Sequence, residues 1–302
     1  MNTRDRFRGC LLGLATGDAV GTTVEFQPRG TFEPVTDMLG GEPFHLQPGQ
    51  WTDDTSMALC LATSLIEQRG FDAEDQMKRY CDWYENGYLS STGKCFDIGV
   101  TTRHALARYR ETGNPFAGST DPQSAGNGSL MRLAPVPMFG FGKRDLVAHF
   151  SGESSRTTHG AAECVDACSV FGEMIFRALE GASKQDILFT NAIEIASPAI
   201  QSIVRGDYRD KQIDEIHGSG YVVKSLQAAL WCFFKTESFE QAILTAANLG
   251  DDADTTAAIC GQLAGAHYGE SGIPAHWRAR VTMRDEIRNL ADRLYRLATE
   301  IG

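Results

Sequence analysis

Two short segments, far apart in the chain, carry carboxylates at unusual density directly before strongly apolar runs. The first is Trp51-Thr52-Asp53-Asp54-Thr55-Ser56, followed by Met57 to Leu65. The second is Gly250-Asp251-Asp252-Ala253-Asp254-Thr255-Thr256, followed by Ala257 to Ala266. Each looks like a helix start, where Ser, Thr and Asp accept from free backbone N–H groups and the helix dipole favours an anion. One cap does not need three carboxylates. Adjacent acids repel and lose hydration when the following helix is buried, so a counter-cation is the natural way to hold them together. Carboxylate and hydroxyl oxygens without nearby imidazole or thiolate are hard ligands, which select Mg²⁺, Mn²⁺ or Ca²⁺ over zinc or copper. If the two helix starts meet in space, Thr52, Asp53 and Asp54 face Asp252, Asp254 and Thr255. Four carboxylates then suit two divalent ions, and such a site can orient hydroxyls and activate a water.

Other residues are individually ambiguous. Gly126-Asn127-Gly128-Ser129, before Leu130-Met131-Arg132, is either a backbone nest for a phosphate or a plain turn. His159 closes Ser155-Arg156-Thr157-Thr158-His159, ahead of a helix expected near Ala161, and serves equally as a capping or packing histidine. Glu25 follows Gly17-Asp18-Ala19-Val20-Gly21 and opens a proline-rich stretch; it is either a solvated loop acid or a gating or acid/base residue. Asp97, in Cys95-Phe96-Asp97-Ile98-Gly99, is an acid among apolar neighbours whose role the sequence does not assign.

The elements that must position these residues read as helices. Val165, Cys168, Gly172, Ile175 and Leu179 recur at three and four, as do Val222, Leu226, Ala229 and Phe233. The stretch from Arg278 to Ile301 is rich in Arg, Glu, Leu and Ala and reads as one helix. Glycine falls on every fourth residue at Gly9, Gly13, Gly17 and Gly21, and again at Gly261, Gly265 and Gly269. That spacing lines glycines along one helix face and lets another helix approach closely. Three segments read as irregular: 27–50, a long proline-rich loop with the character of a lid, then 112–129 and 205–220. The expectation is an all-α protein, residues 1–302 forming one domain without internal repeats.

Composition narrows the partner class. The 302 residues carry 28 Lys plus Arg against 39 Asp plus Glu, a net charge of -11, which argues against a nucleic-acid partner. The eight cysteines form no C-x-x-C pair and mostly sit inside apolar runs, which fits a reducing, cytoplasmic location. Arg4, Arg6 and Arg8 precede a short apolar stretch, but Asp18 follows it too soon for a secretory signal. No apolar run is long enough to span a membrane.

In this order, the segments GCLLGLATGDAVGTTVEF, WTDDTSMAL, FDIG, GNGSLMR, Ser155 to His159 and GDDADTTAAICGQLAGAHYG resemble the ADP-ribosylglycohydrolase family. The resemblance implies a compact orthogonal bundle of helices around a cleft with two Mg²⁺ or Mn²⁺ ions. It implies Thr52, Asp53 and Asp54 on the first ion, Asp252 and Thr255 on the second, and Asp254 bridging. Glu25 stands where the family has a glutamate concerned with gating or water activation, and Asp97 matches an acid acting on the ribose in some members. Gly126, Asn127, Gly128 and Ser129 would meet the diphosphate or its ribose, and His159 would line the ADP-ribose cleft. The implied substrate is an ADP-ribosylated protein, arginine-linked first, with ADP-ribose as product; serine-linked or O-acetyl ADP-ribose is the enzymatic alternative. A non-catalytic ADP-ribose-binding protein, or an immunity protein opposing an ADP-ribosylating toxin or transferase, is the alternative of another class. Asp251 departs from the pattern, since many relatives have glycine there.

Overall fold

The two glycine stripes pack against each other. A Cβ built on Gly13 would lie 2.3 Å from the Gly261 carbonyl oxygen, and one on Gly261 would lie 2.1 Å from that of Gly13. Gly9 faces Gly265 in the same way, Gly17 faces Ala257 and Gly21 faces Ala253, so the helices run antiparallel. Only hydrogen on Cα permits this backbone-to-backbone contact, which offsets the helix-propensity cost of about 1 kcal/mol per glycine. The register sets the end of the first helix beside the start of the second.

The computed structural model describes residues 1–188 and 195–301. Its helices are α1 (Thr3–Gly21), α2 (Asp53–Glu67), α3 (Ala73–Asn86), α4 (Val100–Thr112), α5 (Pro135–Phe139), α6 (Arg144–Arg156) and α7 (Ala162–Glu180). There follow α8 (Lys184–Leu188), α9 (Pro198–Arg205), α10 (Val222–Lys235), α11 (Phe239–Ala247), α12 (Ala253–Tyr268), α13 (Ala275–Arg280) and α14 (Arg284–Ile301). Among the described residues the only β features are isolated bridges such as Gly41 with Leu46, so the protein is all-α as expected. α1 from Gly9 onward and α12 up to Ala266 are buried on every face, as befits helices apolar all round. Cys168, Gly172, Ile175 and Leu179 on α7, and Val222, Leu226, Ala229 and Phe233 on α10, point into the core. All eight cysteines are free thiols, and none of the described helices is long and apolar enough to cross a membrane.

The expected continuous helix from Arg278 is broken. α13 ends at Arg280, Met283 turns left-handed with φ 56°, and α14 starts anew at Arg284. The break frees backbone groups for the proline-rich loop: Thr282 N–H donates to the Gly49 carbonyl at 2.9 Å, and Trp51 Nε1 donates to the Thr282 carbonyl at 3.1 Å. The rest of that loop is also tied down. The Asn248 side chain accepts from Val35 N–H and donates to its carbonyl, and Asp37 accepts from Trp277 Nε1 and Arg280.

Candidate active site and metal centre

Thr52 and Asp252 occupy the N-cap positions of α2 and α12, yet neither side chain caps its own helix. The caps come from elsewhere. Asp18, near the end of α1, accepts from Thr52 N–H at 2.9 Å, Thr55 N–H at 3.1 Å, Thr52 Oγ1 at 3.0 Å and Thr55 Oγ1 at 2.6 Å. Glu25, just beyond the same helix, accepts from Ala253 N–H at 2.8 Å and Asp254 N–H at 3.1 Å through Oε2. The simple capping account of the two acidic segments is therefore replaced. Asp53, Asp54 and Asp252 are spared capping, Asp254 Oδ1 accepts from Thr255 N–H at 2.6 Å, and the four are held together next to two positive helix ends.

Within this cluster Thr52 Oγ1 reaches Asp254 at 3.2 Å, and Thr255 Oγ1 reaches Asp54 at 3.3 Å. Four of the sequence-predicted ligands, Thr52, Asp54, Asp254 and Thr255, thus meet across the α2 and α12 starts. Two groups of carboxylate oxygens lie within 4.8 Å of one another: Asp18, Asp54 and Asp254, and Glu25, Asp252 and Asp254. Asp254 belongs to both, the position a bridging ligand requires. Asp18 already accepts two hydrogen bonds on each oxygen, so it supports the α2 start rather than offering a free lone pair. Asp54 Oδ2, by contrast, is fully buried without a hydrogen-bond partner. An orphaned anionic oxygen is costly to bury, and a divalent cation is the partner that oxygen-only chemistry favours.

The electrostatics say the same. Burial first, then Asp254, Asp18, Asp53 and Asp252, push the Asp54 carboxyl well above its ordinary range. Asp53 is raised by burial and by Asp254 and Asp18, and Glu25 by burial, Asp254 and Asp252. Burial, with Asp252 next, pushes Asp254 up to about 7. Asp97 is pushed up to about 11 by burial and then by Asp53 and Asp254. Only cations or bound protons relieve carboxylates so placed.

These acids floor one wall of a cavity of about 380 Å³, within the range of small-molecule sites. Glu25, Asp53, Asp97, Asp252, Asp254 and Thr255 line it, whereas Thr52 and Asp54 lie beneath its surface. The opposite wall holds Gly126, Asn127, Gly128 and His159. Asn127 Nδ2 donates to Asp252 Oδ2 at 2.8 Å and to Ser225 Oγ at 2.7 Å, so this loop fixes an acid of the other wall. A Cβ on Gly128 would come within 2.8 Å of His159 Cε1, which is why glycine stands there. His159 is buried, pairs through Nδ1 with Thr158 Oγ1 at 2.8 Å, and is pushed down to about 3 by burial and then Arg132, so its ring is neutral. Ser129 does not reach the cavity. Its hydroxyl is buried against Ser155 Oγ at 2.8 Å, inside the core.

Three site features had no place in the sequence reading. Asp18 was visible as a lone acid inside an apolar, glycine-striped helix, and a buried charge always needs partners. Arg132 is wholly buried, donates to the Gly128 carbonyl, Thr157 and Thr158, and so ties the glycine loop to the His159 segment. The start of α4, with no side-chain cap, opens on the cavity through Gly99, Val100, Thr101 and Thr102. Asp251 is exposed and outside the buried cluster; at φ 58° it occupies a left-handed position that suits glycine and that Asp tolerates better than most residues. We expect Asp18→Ala to lower stability by about 2–4 kcal/mol, since it strands several buried donors at once. Chemical denaturation checks this.

The family model for ADP-ribosylglycohydrolase matches residues 1–301. The chain is 44% identical to ADP-ribosylarginine hydrolase Tri1 of Serratia proteamaculans, covering 98% of this chain and 80% of that protein. It is 46% identical to the protein of the same name from Pseudomonas putida, over 98% of this chain and 80% of that one. It is 32% identical to the ADP-ribosyl-dinitrogen reductase glycohydrolase of Rhodospirillum rubrum, with 98% of both chains covered. A solved structure titled ADP-ribosylglycohydrolase-related protein complex superposes with a TM-score of 0.88 at 44% identity, covering 98% of this chain and 99% of that one. On the acids gathered at the α2 and α12 starts and on these similarities, the chain belongs to the ADP-ribosylglycohydrolase family.

Proposed function

We propose that the protein is a metal-dependent hydrolase that removes ADP-ribose from modified arginine side chains of proteins. The observation that carries this reading is the cavity itself, with mutually repelling carboxylates in its lining above the orphaned Asp54 Oδ2, and a glycine loop with a neutral histidine beside them. Similarity to two proteins named ADP-ribosylarginine hydrolase favours arginine over the serine-linked alternative.

Thr52, Asp53 and Asp54 would hold one Mg²⁺ or Mn²⁺, Asp252 and Thr255 a second, with Asp254 shared. Bound there, such ions supply Lewis acidity toward ribose hydroxyls and toward the charge developing on the sugar. The chain's own groups do the rest. Gly126 and Asn127 spend their N–H groups on the Ser124 and Gly220 carbonyls, so the Gly128 N–H and the open α4 start are the donors for the diphosphate. His159, neutral, shapes the wall beside that loop without adding charge.

Hydrolysis breaks the bond between the anomeric carbon and the guanidine nitrogen, adds the oxygen of water to that carbon, and returns a proton to the departing nitrogen. With the charge of the cluster compensated by cations, Glu25, its Oε2 fixed by two backbone donors, would be the group to take the water proton. Asp97 lines the same cavity beside the apolar Ile98 and is the group placed to give a proton to the leaving nitrogen. The test is release of free ADP-ribose from an arginine-ADP-ribosylated protein, with Mg²⁺ and again after chelation. Release that depends on the metal supports the reading; equal release in excess chelator overturns the metal-dependent mechanism.

A further inference from the structure

Both candidate acid/base residues have a phenylalanine as immediate neighbour in sequence, Phe26 after Glu25 and Phe96 before Asp97. Each pair sits at a left-handed turn, with φ 62° at Phe26 and 59° at Asp97. Such a turn sends consecutive side chains in divergent directions: the carboxylates enter the cavity wall, whereas Phe26 stands 63% exposed at the mouth. Phe44, from the proline-rich loop, joins the two, its ring centroid 6.1 Å from Phe26 and 5.3 Å from Phe96. Three rings thus form a continuous aromatic ridge between the two acids.

Folding alone does not call for the exposed end of this ridge. A large apolar side chain left exposed on a left-handed backbone is unfavourable twice over, in hydration and in backbone conformation. The turn is nevertheless held in place, because Phe26 N–H donates to the Asp251 carbonyl at 2.8 Å and Asp251 N–H donates to the Gln27 carbonyl at 2.8 Å. This latch also sets the exposed Asp251 carboxylate beside the ridge. The cavity is lined by carboxylates, the glycine loop and the apolar side chains of Ile98, Val100 and Met131, whereas the acceptor side chain belongs to another protein. It must therefore enter and leave across the mouth.

We propose that the Phe26–Phe44–Phe96 ridge is the acceptor subsite, on which the guanidinium of the modified arginine stacks while Glu25 and Asp97 flank the scissile bond. This rests on the hydrolase reading above and adds to it a residue-level basis for preferring arginine. A guanidinium is planar, cationic and weakly hydrated, so it stacks on an aromatic face near carboxylates; a serine hydroxyl gains nothing from such a face. The proline-rich loop then has a definite role, setting Phe44 against Phe26 and Phe96, and its anchoring at Val35, Asp37 and Gly49 holds it there.

The test compares the unaltered protein with Phe26→Leu and Phe44→Leu on two peptides of one sequence, ADP-ribosylated on arginine or on serine, together with the affinity for free ADP-ribose. Leucine keeps apolar bulk and the same backbone demand at position 26 but removes the π face. The expected result is a loss of about tenfold in kcat/KM on the arginine-linked peptide, carried mainly by KM. That loss should exceed any change in ADP-ribose affinity or serine-linked turnover by at least fivefold, and Phe26→Trp should restore it. If the unaltered protein cleaves the arginine-linked peptide and both leucine variants stay within twofold of it, the ridge proposal is overturned and the hydrolase reading stands. A loss of equal size in ADP-ribose affinity also overturns it, by making the ridge part of the nucleotide site. If the unaltered protein does not cleave the arginine-linked peptide at all, the hydrolase reading falls and takes the ridge with it.

Discussion

Asp54→Asn and Asp254→Asn are each expected to lower ADP-ribose release by about 100-fold or more. Loss of a group that merely supports a metal ligand already costs about 10–100-fold in many metal sites, and a ligand itself cannot matter less. The two variants separate chemistry from folding. Asp54 Oδ2 has no hydrogen-bond partner, and the strongest charges acting on this carboxyl come from other carboxylates. For Asp54→Asn, relieving that repulsion in the cation-free cluster should therefore leave stability unchanged or raise it. The unaltered protein should gain thermal stability as Mg²⁺ is added, because a ligand that binds only the folded state stabilises it by mass action. Neither variant should show the same gain. An Asp54→Asn protein that melts well below the metal-free parent, or either variant retaining full turnover, would contradict this account of the site.

Gly261→Val is expected to be strongly destabilising. The new Cβ would stand 2.1 Å from the Gly13 carbonyl oxygen, a backbone atom that cannot move without shifting all of α1. Overpacking a well-packed interior costs about 1–3 kcal/mol when side chains can yield, and here none can, so about 3 kcal/mol or more is expected. The effect should not stop at stability. α1 carries Asp18 to the α2 start and leads directly into Glu25 at the α12 start, so parting the two helices loosens both caps. Whatever folded protein remains should bind divalent metal more weakly. Gly70→Ala is the control: its nearest neighbour would be 3.7 Å away, and its effect should stay within about 0.5 kcal/mol in urea denaturation.

Much of this molecule is legible before folding. Helical periodicity and the lack of two-residue alternation mark the chain as all-α, and the four-residue glycine spacing marks α1 and α12 as close-packed. The acid-rich starts at Asp53 and Asp252 point to a hard, oxygen-bound cation through ligand chemistry alone. The break at Val281 to Met283 was not legible, because the local composition there favours helix. It exists because Thr282 exchanges a helical hydrogen bond for one with Gly49, more than two hundred residues away.

What the residue pattern determined by itself was the period of each helix, the faces that carry no side chains and the kind of ligand atom available. These depend on neighbours three and four positions apart, which a sequence displays directly. Only the tertiary structure decided that the two glycine stripes pair with each other, that Asp18 and Glu25 cap helices other than their own, and that Ser129 turns inward to Ser155. It also decided that Phe44 completes a ridge begun by Phe26 and Phe96. Each of these is a choice among partners distant in the chain. Short-range propensity is indifferent to that choice, and close packing with complete hydrogen bonding settles it.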